Sequence, residues 1–458
     1  MDLTTGQYIQ LIVGLAAVTI MFVMAYIGSE KPIIYFLVLL IPFQPVVSKF
    51  GSLNTGLSLL IFIAFILNKR IARLPFFGLI MLVLFVYMLS LSQAPIPTYK
   101  DHLFYLVSIS ANVSVFYIIF NYVVRTEDIE GVVKMMIWMN FLVVVYSLVQ
   151  MVMGTGSSSA ISIGDISFKE NRQDARLAGP FNAVGITAEY MVIQVYMVLY
   201  RFFYVNSRKE KMFLLLLIML NMGVMVGTGN RTAIIVTIIA ALIFFALFKR
   251  QLGSLRLIKL GSVAALLFVV ASSLMIAFTD FNVLFDRFSE TGADEEKVLD
   301  SRSVIWPLAI ERIQEEPLIG HGPRIRLIEE SERRINGHEF MPYPHSLYLY
   351  VVYTIGFIGL FVLAISFLVL FRLFSSGLNS RHKDTFIRGM PRLAILILII
   401  IMIDQMKVSM MRFSLTDYQQ YVAAILGLLV GATHVAKYQR NQVEPDNESN
   451  LQQETKRI

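Results

Sequence analysis

The stretch "PYPHSLYLYVVYTIGFIGLFVLAISF", residues 342–367, decides the class of this fold. From Leu347 onward it is apolar for longer than the roughly 20 residues needed to cross the hydrocarbon core of a bilayer. Yet a histidine, His345, stands at the mouth of the span, behind a Pro-Tyr-Pro turn and a long charged loop. What that histidine does depends on which side of a membrane it faces and what else collects there.

Composition supports a membrane protein throughout. Of 458 residues, 56% are hydrophobic and only 16% charged, against about a quarter charged in soluble domains. The mean hydropathy is +0.67. Cysteine is absent, which excludes disulfides, thiolate metal sites and a cysteine nucleophile. The N-terminal run lacks a basic leader segment and a small-residue cleavage site, so it reads as a retained first span.

Thirteen apolar segments reach or approach spanning length: 7–27, 33–50, 54–68, 75–92, 102–123, 131–153, 183–204, 212–228, 232–248, 257–278, 344–371, 390–410 and 418–436. The second is interrupted by Pro32, Pro42 and Pro45, and the third is short. The expected fold is therefore an all-α polytopic membrane protein with about 12–14 transmembrane helices. Basic residues gather in short cytoplasmic loops. Clusters at Lys69–Arg73, Arg208–Lys211, Lys249–Lys259, Arg372–Arg392 and Lys437–Arg440 all fall on one side with this span count. The opposite side receives a Gly- and Ser-rich loop, 154–182, and one large extracytoplasmic loop, 279–343.

The large loop carries 14 Asp and Glu against 8 Lys and Arg. The chain's net charge of +7 thus resides outside it, in the topogenic clusters, and nucleic-acid binding is not implied. Within the loop, Val304, Ile305, Leu308, Ala309 and Ile313 share one face of an amphipathic helix over 303–316. Ser303 is placed to cap it, with Pro307 in the first turn. The polar tail 438–458 has the composition of a disordered segment.

Several residues on the side of the large loop could carry chemistry. His345 reads either as a helix-initiating residue at headgroup level or as a base able to take a proton near neutral pH. Ser346 follows it, and Gly356 and Gly359 have the spacing of close helix packing. Arg231 lies in a tight turn between two spans, where it is either a snorkelling anchor or a diphosphate ligand. Arg302 opens the amphipathic helix, and Arg176 precedes another span. Arg324 and Arg326 are weaker substrate-binding candidates that read first as solvated loop charges. Glu189 and Asp404 sit inside spans, where a carboxylate has a partner or a role, though sequence supplies no mate for either. No Asp-x-Asp, His-Glu-x-x-His, Gly-x-Ser-x-Gly or nucleotide-phosphate loop occurs.

These residues resemble the O-antigen ligase and O-antigen polymerase superfamily of bacterial membrane glycosyltransferases. His345, Ser346, Gly356 and Gly359 meet that family's His-[Asn/Ser/Gln], nine residues, Gly-x-x-Gly pattern. "GTGNRTA" (227–233) is similar to its Ser-Arg-Gly-type turn, with Thr232 in place of the usual small residue. "SRSVIWPLAIERIQEEPLIGHGP" (301–323) looks like its arginine-Trp helix ending in Pro-Leu-x-Gly-x-Gly. "RLAGPFNAVGITAEY" (176–190) is similar to the opening of a middle span, with Val184 and Gly185 where Pro-Asn is familiar. The resemblance covers roughly residues 175–365.

It implies a GT-C-like, metal-independent transferase of the bacterial cytoplasmic membrane, with its active site on the extracytoplasmic side and no cofactor. The donor would be a polyprenyl-diphosphate-linked oligosaccharide and the acceptor a sugar hydroxyl on a glycan. The surrounding partners would be the lipid bilayer, a chain-length regulator and a flippase. His345 would be the general base and Arg231 and Arg302 would hold the diphosphate, with Arg176, Ser346, Arg324 and Arg326 binding substrate. A surface-polysaccharide polymerase is favoured, with the related ligase second. The alternative from another class is a polytopic transporter or lipid-linked glycan flippase, which internal repeats and helices broken at mid-membrane would support.

Overall fold

The computed structural model of the chain describes residues 30–43, 51–94, 99–152, 177–253, 302–322, 344–406 and 416–454 apart from position 182, with short pieces at 23, 27–28, 46–47, 162–163, 166–167, 334–335 and 338–339. Twelve α-helices run through these residues. They are α1 (Glu30–Leu40), α2 (Leu53–Leu67), α3 (Phe77–Ser90), α4 (Tyr99–Tyr122), α5 (Thr126–Val152), α6 (Val184–Tyr204), α7 (Arg208–Gly227) and α8 (Arg231–Leu252). After them come α9 (Arg302–Glu315), α10 (Leu347–Ser376), α11 (Thr385–Asp404) and α12 (Thr416–Glu454). Three antiparallel ladders of two residues per strand occur in the connections, the last pairing Arg334 with Glu339 and Ile335 with His338.

Among the described residues, seven helices are long and apolar enough to cross a membrane: α4, α5, α7, α8, α10, α11 and the first half of α12. The chain is an all-α polytopic membrane protein. Helices α2 and α3 are shorter apolar elements. The expected first span, apart from positions 23 and 27, and the expected span 257–278 lie outside the described residues.

Two expectations about length are corrected. The span foreseen over 33–50 stops at Leu40, giving an 11-residue helix too short to cross. Pro42 has no N–H to continue the helix and biases the residue before it away from α geometry. At the other end, α12 continues to Glu454, so residues 438–454 are helical where composition suggested disorder. Extending an anchored helix needs no new nucleus, which makes such propagation inexpensive.

Helix α6 departs from the apolar rule for a physical reason. It is 21 residues long yet contains Glu189, Gln194, Arg201 and four tyrosines. It runs through the middle of the bundle, buried from Ile186 to Val198, so its polar groups meet protein partners rather than lipid. The Gln194 amide donates to the Tyr421 hydroxyl at 2.9 Å. The Tyr196 and Tyr200 hydroxyls donate to the carbonyls of Thr237 and Phe386. Helices α8 and α10 are the opposite case. Among the described residues only 28% of the apolar stretch of each is buried, against 72% for α11, leaving broad apolar faces uncovered.

The contacts define two ends of the bundle. At one end, Arg201 near the C-terminus of α6 bridges Glu130 at 3.0 Å and Glu210 at 3.2 Å. Lys437 donates to Ser376 there, and Asp384 caps α11 through the Phe386 amide. The basic clusters at 69–73, 208–211 and 381–388 belong to this end. The other end gathers the starts of α6, α8 and α10 and the last residues of α11.

Candidate functional site

The second end is built from helix termini held by backbone hydrogen bonds. The Gly227 carbonyl, closing α7, accepts from the Leu177 amide at 3.1 Å. The neighbouring Ala178 carbonyl accepts from the Thr187 hydroxyl in the first turn of α6. One residue further, the Gly179 amide donates to the side chain of Gln150 at 3.0 Å, tying in α5. Two residues beyond Thr187 stands Glu189, whose carboxylate accepts from the Gln405 side chain at 3.0 and 3.1 Å. Finally the Gln405 carbonyl accepts from Leu347, the first residue of α10, at 2.8 Å. A continuous line of contacts thus runs from the turn before Arg231 to the turn carrying His345.

Each candidate sits where a helix begins. Arg231 is the first residue of α8 and is exposed. Asn230 caps that helix, its side chain accepting from the Ala233 amide at 3.3 Å. The turn ahead of it needs Gly229, which takes φ 61°, a left-handed conformation that glycine adopts freely. His345 is half-buried and Ser346 buried at the start of α10. Ser346 is the N-cap residue by backbone geometry, though its side chain makes no capping bond. Arg302 is the first residue of α9, which packs Ile305, Ala309 and Ile313 against Val352 and Tyr353 of α10. Because α9 begins one residue before Ser303, Pro307 lies inside the helix rather than in its first turn. Arg176, Arg324 and Arg326 lie outside the described residues.

The glycines after His345 do something other than helix packing. Gly356 has φ 71° and ψ −175°, a break inside α10 that a side chain would strain. Into this break docks the strap 317–322. The Phe357 amide donates to the Pro317 carbonyl at 2.8 Å, and the Ile358 amide to that of Leu318 at 3.3 Å. In return the His321 amide donates to the Tyr353 carbonyl at 2.9 Å. A Cβ on Gly356 would lie 2.0 Å from the Leu318 carbonyl oxygen, and one on Gly320 2.7 Å from the Gly356 nitrogen. The His321 ring lies over Tyr353, with centroids 5.1 Å apart, and donates from Nε2 to the Arg312 carbonyl at 2.6 Å. The strap therefore fixes α9 to the first half of α10.

Sequence reasoning did not anticipate the partner of Glu189. Asp404 is also close against that carboxylate, and Gln405 follows it directly. The two helices meet 216 residues apart in the chain, and a single sequence carries no signal of that pairing beyond two acids in apolar runs.

The fold and this end of it define a class: a polytopic helical membrane protein with basic residues and a histidine presented at helix starts on one face. Residues 213–364, about a third of the chain, match the family model described as O-antigen ligase, the family its motifs resemble. The matched region encloses Arg231, Arg302 and His345. A search of curated proteins found no match to the chain.

Proposed function

We propose that the chain is a membrane glycosyltransferase that moves a polyprenyl-diphosphate-linked glycan onto a sugar hydroxyl at the outer face of the bacterial cytoplasmic membrane. The observation that carries the reading is the overlap of the family match with Arg231 and His345 at one end of the bundle. The end opposite the basic clusters is the extracytoplasmic one by the charge rule, where a flipped lipid-linked donor would be met.

In the proposed reaction the acceptor hydroxyl oxygen attacks the anomeric carbon and the C–O bond to the diphosphate breaks. His345 takes the hydroxyl proton as the new bond forms. Negative charge grows on the leaving diphosphate, where Arg231 and Arg302 stabilise it. Helix N-termini favour anions for the same reason, and both arginines are first residues of helices. Ser346 and the arginines 176, 324 and 326 are assigned to substrate binding, and the chemistry needs no cofactor. The fold expected for such an enzyme is GT-C-like.

We favour a surface-polysaccharide polymerase over a ligase, since nothing in the chain marks a site for a lipid-core acceptor. The test replaces the chain in its host with His345→Ala or Arg231→Ala at normal membrane levels. Long surface glycan should disappear while lipid-linked repeat units accumulate on the outer leaflet. Normal polymer from both variants refutes the assignment. Accumulation on the cytoplasmic leaflet points to a flippase instead.

A further inference from the structure

We infer that Glu189, acting through Gln405, is a positioning residue for His345. The inference rests on the glycosyl-transfer reading above and deepens it. The Gln405 side-chain amide bridges both oxygens of Glu189 at 3.0 and 3.1 Å, while its own carbonyl receives the Leu347 amide at 2.8 Å. Leu347 is two residues from His345, and Gln405 is the C-cap residue of α11. Fixing the Gln405 side chain therefore fixes the carbonyl on which the His345 turn hangs.

Apolar packing does not supply this register. The first half of α10 belongs to two small clusters, one with α9 and one with Val86, Leu79 and Val83 of α3. The main core takes in α6, α8 and α11 and reaches α10 only from Phe367 onward. Between the His345 half of α10 and the α11 C-terminus, the directed contacts include the Leu347–Gln405 bond and the Tyr348 hydroxyl donating to Met402 at 2.8 Å. An acidic side chain with 0% exposure inside a membrane bundle is costly to retain. An apolar residue would fill the space, but it would leave the Gln405 amide without its acceptor.

The experiment removes the acceptor and then restores one. Glu189→Leu and Glu189→Gln are prepared as full-length protein in nanodiscs, with His345→Ala as reference. The probe is the lipid-linked oligosaccharide extracted from host membranes lacking the chain. Glu189→Leu leaves the Gln405 amide without its acceptor, while the side-chain oxygen of Glu189→Gln can still accept from it. Glu189→Leu should lose about ten- to hundred-fold in kcat, as for a slightly misplaced base, with KM within about threefold. Glu189→Gln should keep kcat to within about threefold of the parent. Should Glu189→Leu fail to accumulate, Gln405→Leu, which removes the donor, is read in its place.

Unchanged kcat in Glu189→Leu overturns the positioning role, as does a Glu189→Gln variant no better than Glu189→Leu. If His345→Ala abolishes turnover while Glu189→Gln fails to retain it, only the positioning inference falls. If His345→Ala retains turnover, the functional reading falls with it.

Discussion

Replacing Gly356 by alanine should release the strap 317–322 without unfolding the bundle. The added Cβ would meet the Leu318 carbonyl oxygen and carbon at 2.0 and 2.2 Å and the Ile319 nitrogen at 2.5 Å. These are backbone atoms with no rotamer to give way. The φ of 71° is itself unfavourable to alanine, so the variant relaxes by straightening α10. In a straight helix the Phe357 amide takes the Tyr353 carbonyl, which now accepts from His321. The strap then loses its three backbone bonds, each contributing about 0.5–1.5 kcal/mol net, or about 1.5–4.5 kcal/mol together. At 1.4 kcal/mol per factor of ten, the His321 amide should exchange with deuterium roughly ten- to thousand-fold faster. Peptides covering 316–322 report this directly in nanodiscs. The exposed Gly56, near the start of α2, has open space beside it. Gly56→Ala is the control and should stay within about 1 kcal/mol of the parent in stability. Exchange at His321 unchanged in Gly356→Ala would refute the docking argument.

Two further substitutions probe the ends of the bundle. Asn230→Ala removes the acceptor for the Ala233 amide at the start of α8, a loss of about 1 kcal/mol. Turnover should fall as the Arg231 turn loosens, with Asn230→Asp largely retaining it; equal kcat in both variants counts against that turn's role. At the opposite end, Arg201→Met leaves Glu130 and Glu210 facing each other without their shared cation. Both carboxylates are about a third exposed and Glu130 keeps Lys134 at 3.9 Å, so the change should lower stability by about 1 kcal/mol in a detergent melt, with Arg201→Lys intermediate, and a parent-like melt for the methionine variant would contradict the bridge.

The long apolar runs made most spans legible, because lipid tolerates little else over 20 residues. Helix α6 was foreseen as a span over 183–204, but with Glu189, Gln194 and Arg201 it is not among the helices apolar enough to cross. The span over 33–50 misled because hydropathy counts Ile41 and Phe43 without registering that Pro42 ends the helix between them. The candidate site was legible in part: Arg231 stood out in its tight turn, whereas Asn230 as the cap that sets this turn emerged only from the structure. The Gly356 break was not. Gly356 and Gly359 have the spacing of helix-packing glycines, and only the structure reveals that Gly356 admits another backbone, with Gly320 as its complement. Glu189 and Gln405 illustrate the remaining gap, since a contact across 216 residues leaves no trace in one chain's periodicity.

The distribution of the core explains why the candidate residues depend on polar seams. Arg231 begins a helix whose Ala233, Val236 and Ala240 lie in the main hydrophobic cluster. His345 and Arg302 belong to elements anchored in the two small clusters. The two groups of candidates therefore ride on bodies joined near the site by hydrogen bonds rather than by a shared apolar core. Gln405 is fully buried, so a bond broken there leaves a polar group with no water to take its partner's place. Substitutions along this seam, at Gln405 or Tyr348, should alter the relation between histidine and arginine well before they alter whether the bundle holds together.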